Sequence, residues 1–123
     1  MLTKDTILYK KAFTFAVRVV KLNRFLINEK REFVLSKQLL RCGTSIGANI
    51  SEANGAISAS DFSSKISIAY KESLETKYWL SLLKETEFIT ENDCSALHRD
   101  ADELSKILFS ILRTSRLNTL SKQ

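Results

Sequence analysis

From about residue 3 to 27, apolar side chains fall on two adjacent stripes. Tyr9, Phe13, Ala16, Val20 and Ile27 form one, and Leu8, Ala12, Phe15, Val19, Leu22 and Leu26 the other, each stepping by three and four residues. That spacing marks one side of an α-helix. A stripe of this double width exceeds what the core of one bundle uses, so part of it is expected to pack on another subunit. After the polar run Asn28–Glu32, Ser36 is expected to cap a second helix over about 36–55, with Leu39, Gly43, Ile46, Ile50 and Ala53 inward. Ser60 is expected to cap a third over about 60–88, where Phe62, Ile66, Ala69, Ser73, Thr76, Leu80 and Leu83 keep the helical step. Thr90-Glu91-Asn92-Asp93 reads as a capping box with Asp in place of Glu, opening a fourth over about 91–117 with Leu97, Ala101, Leu104, Leu108 and Ile111 inward. The short connections predict an all-α, up-down-up-down antiparallel four-helix bundle in a single domain over 1–123.

Two glycines stand inside the second helix. Each costs roughly 1 kcal/mol relative to Ala at such a position, so something must offset Gly43 and Gly47. Counted outward from a turn near Ile57, they fall beside Ala69 and Ser73 of the third helix, which predicts a close approach between those two helices. The alternative is a break at Cys42-Gly43-Thr44, with Ser45 restarting the helix.

Composition strengthens the helical reading. The 123 residues are 44% hydrophobic with three Gly and no Pro, so the usual residues of sheet turns are nearly absent. Lys4, Lys10, Lys11, Arg18, Lys21 and Arg24 interrupt the first apolar stretch, which excludes a membrane span there and leads to the expectation of a cytoplasmic protein. Cys42 and Cys94 have no Cys-x-x-Cys partner and read as buried thiols.

Candidate chemistry is sparse. His98 shares a face with Cys94 and Asp102, but positions eight residues apart span about 12 Å of helix, too far to converge on one metal ion. Asn49 and Glu52, with Glu72 and Glu75, make two polar pairs at three-residue spacing. They lack the Glu-x-x-His motifs of di-metal bundles and are read as a structural polar network or a subunit contact. Thr44 and Ser45 have no nearby base. Trp79 is read as packing, and neither a phosphate loop nor a dinucleotide motif is present. No cofactor, metal, small-molecule substrate or enzymatic activity is expected.

Charge is the remaining signal. Residues 1–41 carry ten Lys or Arg against three acids, a net of +7, while the rest nets −2. Lys30 and Arg31, with Lys37 and Arg41, are expected to gather at one end of the bundle, and Lys10, Lys11, Arg18 and Lys21 to run along helix one. Such a surface attracts phosphates, and these six helical cations (Lys10, Lys11, Arg18, Lys21, Lys37, Arg41) are the candidate nucleic-acid contacts.

The stretch Arg41-Cys42-Gly43-Thr44-Ser45-Ile46-Gly47-Ala48-Asn49-Ile50-Ser51-Glu52, followed by Asp61-Phe62, Lys71-Glu72-Ser73, Glu75-Thr76 and Tyr78-Trp79-Leu80, resembles the bacterial four-helix bundle proteins encoded in intervening sequences of 23S rRNA genes. The resemblance runs from helix one through helix four, and Ser-Ile-x-x-Asn-Ile-x-Glu is its specific part. This chain has Ala53 where that family usually has Gly, and Gly47 in place of a frequent Pro. The resemblance implies a bundle assembling into a ring, typically a pentamer. It also implies similarity to the accessory protein of diversity-generating retroelements, a basic pentamer that engages nucleic acid and a reverse transcriptase, and no established enzymatic activity. Together these readings predict a non-enzymatic homo-oligomer, a pentamer by resemblance, that binds RNA or DNA through phosphates. The alternative is a protein-interaction scaffold whose ring serves a protein partner.

Overall fold

The computed structural model describes residues 6–121, with side chains through residue 115. Among them are four α-helices and no strand: α1 Ile7–Asn28, α2 Leu35–Asn54, α3 Ala59–Glu85 and α4 Glu91–Ser121. The expected start of the first helix near Thr3 lies outside the described residues. α4 runs past the expected end near Leu117, since no Gly or Pro interrupts residues 112–121.

The helix starts follow from side chains that meet free backbone N–H groups. Thr6 caps α1 by accepting from the Tyr9 N–H, and Thr90 accepts from Asp93 at 3.1 Å, as the capping box predicted. The other two caps differ from expectation. Ser58, not Ser60, opens α3: its backbone is extended, its hydroxyl accepts from the Asp61 N–H at 2.9 Å, and the Asp61 carboxylate accepts from the Ile57 N–H. Only Ser58 has an acid three residues on, which makes that exchange possible. α2 opens at Leu35, one residue early for Ser36 to cap it. Arg31 takes a left-handed backbone (φ 53), and Glu32 accepts from the N–H groups of Val34, Leu35 and Ser36. The Ser36 hydroxyl instead donates back to the Glu32 carbonyl. At the far end α3 stops at Glu85 rather than 88, because Glu87 (φ 68) turns the chain and Phe88 N–H closes on the Leu83 carbonyl.

The core is the inner stripe of each helix: Leu8, Ala12, Phe15, Val19 and Leu26 of α1, Leu39, Ile46 and Ile50 of α2, Ile66, Leu80 and Leu83 of α3, and Leu97, Leu104 and Leu108 of α4. α1 meets α2, α2 meets α3 and α3 meets α4, with α1 and α4 closing the circuit through a sparser seam. Paired positions run in opposite senses. Asn23 reaches Ser36 while Val19 faces Gly43 and Ala12 faces Gly47; Lys84 reaches Glu91 while Lys77 reaches Asp102.

α2 is unbroken through Cys42-Gly43-Thr44, so the alternative of a break there is removed. The glycines face α1, not Ala69 and Ser73 of α3. A methyl group at Gly43 would lie 2.9 Å from both γ carbons of Val19, and one at Gly47 would lie 3.5 Å from the Ala12 carbonyl oxygen. The roll of α2 about its own axis, which turns this edge to α1, decides the partner.

Candidate nucleic-acid interface

α1 presents three zones around its circumference. Lys11 and Arg18 lie on the edge toward α4, where they pair with Glu103 and Asp100. Opposite, past the buried stripe, Ala12 and Val19 meet α2, and next to them runs the second apolar stripe. Tyr9, Ala16, Val20 and Ile27 are half-buried and Phe13 is 59% exposed. The outer ridge between these edges carries Lys10, Lys21 and Arg24, all exposed. Lys10 and Lys21 stand three helical turns apart on one line, about 16 Å along the axis.

The six expected contact residues therefore divide. Lys11, Arg18 and Arg41 hold carboxylates; Arg41 forks onto Glu72, at 3.1 Å, and Glu75. Lys10, Lys21 and Lys37 form no ion pair among the described residues, nor does Arg24. Lys30, in the α1–α2 turn, lies 5.9 Å from the centre of the Phe25 ring, a cation–π contact that leaves its ammonium exposed. Arg24 did not stand out in the sequence because it looked like one more charge interrupting an apolar helix; its spacing of three from Lys21 was the available signal.

The expected polar network is not one network. Asn49 donates to the Ser45 carbonyl one turn back along α2, and Glu52 reaches Lys65 at 3.7 Å. Only Glu72 and Glu75 meet, through Arg41, and Trp79 joins them by donating its indole N–H to Glu75 at 2.9 Å. The Trp79 N–H and Arg41 hold the Glu75 carboxyl below its ordinary range despite partial desolvation. These contacts tie α2 to α3 and fix the direction of Arg41.

Neither cysteine is poised as a nucleophile. Both cysteines are free and buried. Desolvation pushes the Cys42 thiol up to about 11, against a bond to Thr76 that pulls the other way, and burial likewise raises Cys94, so both stay protonated near neutral pH. Among the described residues no three His, Cys, Asp or Glu side chains gather closely enough to hold a metal ion. None of the described helices is long and apolar enough to cross a membrane.

The described residues thus make an all-α protein of four helices whose most distinctive surface is an outward cationic ridge beside an uncovered apolar flank. The chain belongs to the 23S rRNA-intervening sequence protein family, whose model matches residues 4–110. It is similar to a crystal structure of a protein of unknown function from the S23 ribosomal protein family of Bacteroides thetaiotaomicron, at 52% sequence identity and a TM-score of 0.85, over 86% of this chain and 98% of that one. No curated protein matches it.

Proposed function

We propose that this protein is a non-enzymatic homo-oligomer, an up-down-up-down bundle assembled into a ring, that binds structured RNA or DNA through backbone phosphates. The observation that carries the reading is the ridge of Lys10, Lys21 and Arg24 with Lys37, whose charges have no carboxylate partner among the described residues. A phosphate meeting these groups displaces only counterions, whereas one meeting Arg41 must compete with Glu72 and Glu75. Lys10, Lys21 and Lys37 are therefore the leading contacts, and Lys11, Arg18 and Arg41 serve first to hold helices together. Family membership, which ties the chain to rRNA intervening sequences, makes structured RNA the first ligand to try. Assembly multiplies weak contacts, since several ridges on one particle bind one polyanion together. With no base-reading module, affinity is expected to depend little on sequence.

Affinity for an RNA duplex, followed by fluorescence anisotropy across a salt series, tests this. Three neutralised phosphates for each chain engaged predict a loss of at least about fortyfold between roughly 50 and 200 mM salt, and Lys10→Glu, Lys21→Glu and Lys37→Glu together are expected to abolish detectable binding. Affinity indifferent to salt and to the triple reversal sinks the proposal. The second reading, a scaffold for a protein partner, draws on the exposed Phe13, Tyr78 and Phe109; it is favoured if the protein recovers a protein, and no nucleic acid, after nuclease treatment.

A further inference from the structure

We infer that the α1–α2 turn is a stacking platform for unpaired nucleotides, which set their bases on Phe33 and Phe25 and their phosphates on Lys30 and Arg31. The inference rests on the nucleic-acid binding proposed above. It adds the form of ligand, a single-stranded segment next to a structured one, and the place that receives it.

The turn is fastened at many points. The Glu32 N–H closes on the Leu26 carbonyl at 3.0 Å, its carboxylate accepts from the N–H groups of Val34, Leu35 and Ser36, and the buried Asn23 ties down the Ser36 carbonyl. Arg31 adopts the left-handed backbone, which costs a non-glycine residue. What this frame leaves outside is nevertheless apolar. Glu32 is buried, while Phe33 is 55% exposed, Phe25 40%, and Val34 more exposed than either. Three large apolar side chains left open on one short, well-fastened turn mark an interaction site rather than ordinary scatter. A ring held in place before its partner arrives also gives up little freedom on binding.

Charge selects the occupant. Lys30 and Arg31 are exposed and form no ion pair among the described residues. Of the two acids in the turn, Glu32 is taken up by backbone N–H groups, which leaves Glu29 alone against them. The Lys30 ammonium lies 5.9 Å from the centre of the Phe25 ring, so a phosphate held there brings its own base within reach of that ring. A nucleotide joins a flat π-face and an anion in one unit, which is the pair of groups this turn offers. The cations also lead away in a line. Lys21 stands one helical turn before Phe25, and Lys10 lies about 22 Å from Phe25 along the α1 axis. A strand can follow that line, whereas a flat lipid surface touching the turn leaves Lys10 behind. On its other side Phe25 borders a hollow lined by Glu87, Glu91 and Asp93 of the α3–α4 connection. Those carboxylates repel phosphate and confine the strand to the α1–α2 side.

Three RNA probes test this by fluorescence anisotropy at low salt: a blunt duplex, the same duplex with a short single-stranded overhang, and the overhang made abasic, with the same phosphates and no bases. Phe33→Ala, Phe25→Ala and Phe33→Trp are compared with the unmodified protein, and far-UV circular dichroism confirms that each remains helical. The unmodified protein is expected to bind the overhang at least about fivefold more tightly than the blunt duplex. The abasic probe and the alanine variants are expected to lose that gain, Phe33→Trp to keep it, and blunt-duplex affinity to stay the same throughout. Failure to bind any probe overturns the nucleic-acid reading itself. A blunt duplex that binds while the overhang adds nothing, a gain that the abasic overhang reproduces, or one that both alanine variants keep overturns the platform alone. Absence of the gain, together with a protein that survives nuclease treatment on the unmodified chain and not on Phe33→Ala, assigns the turn to a protein partner instead.

Discussion

Gly43→Ala is expected to destabilise the protein by up to about 2 kcal/mol, while Gly47→Ala, one turn along the same helix, is expected to stabilise it by about 0.5–1 kcal/mol. The helical preference of Ala over Gly is the same at both sites, roughly 1 kcal/mol in favour of the variant. What differs is the opposing surface. At position 43 the new methyl meets two γ carbons of Val19 at 2.9 Å, and Val19 is fully buried. A β-branched side chain in a helix has essentially one rotamer and cannot swing aside, so α1 and α2 must separate, and overpacking of this kind costs typically 1–3 kcal/mol. At position 47 the nearest atom is the Ala12 carbonyl oxygen at 3.5 Å, an ordinary contact. Urea unfolding midpoints of the two variants check the contrast. Equal stabilisation at both positions contradicts the close approach of α2 to Val19.

Removing the Glu32 carboxylate is expected to cost about 2 kcal/mol in Glu32→Ala, because three backbone N–H groups at the start of α2 lose a charged acceptor. This carboxyl sits where α1 hands the chain to α2, and Asn23 fastens the same turn by donating to the Ser36 carbonyl at 3.1 Å. Burial by itself raises the Glu32 pKa, but the N–H groups of Leu35, Ser36 and Val34 outweigh it and leave the carboxyl below its ordinary value of 4.5. A folded-state value depressed in this way means stability that is present above the unfolded-state pKa and lost as pH falls through the folded-state one. The advantage of the native protein over Glu32→Gln should accordingly be full at neutral pH and shrink progressively below about pH 4.5. Thermal melts of the two proteins across that range measure it; a gap that stays constant with pH rules out the carboxylate as the source of the stability.

These positions also show what a sequence can and cannot disclose. Four helices were legible because a step of three and four residues survives any rotation of the helix, and the stripe of α1 that the fold buries, from Leu8 to Leu26, is one of the two the spacing offers. The Thr90 cap was legible because its acid stands three residues on, and the same rule separates Ser58 from Ser60. The partner of Gly43 was not legible. Leu39, Gly43 and Ile46 all lie inward on α2, and which edge of that stripe turns toward α1 depends on a roll of the helix that no spacing encodes. Glu32 was hidden for another reason: in the run Asn28–Glu32 it looks like a solvated loop charge, and becomes a cap only because Arg31 adopts a left-handed backbone.

The candidate interface divides along the same line. That residues 1–41 are strongly cationic is visible in composition. Which of those cations remain uncompensated is not, because Lys11 and Arg18 find Glu103 and Asp100 on the last helix, far along the chain. Only the fold brings those carboxylates to the α4 edge of α1 and leaves Lys10, Lys21 and Arg24 facing out. The double width of the apolar stripe on α1 was readable, but which half faces out was not; the fold leaves Phe13 open on the single chain and Tyr9, Ala16, Val20 and Ile27 half-buried.

Light scattering coupled to size exclusion, on protein purified without nuclease and with absorbance recorded at protein and nucleic-acid wavelengths, tests the central claim most directly. The account predicts a particle of several 14.0 kDa chains that carries nucleic acid at low salt and releases it as salt rises. A particle of one chain with the absorbance of protein alone contradicts it.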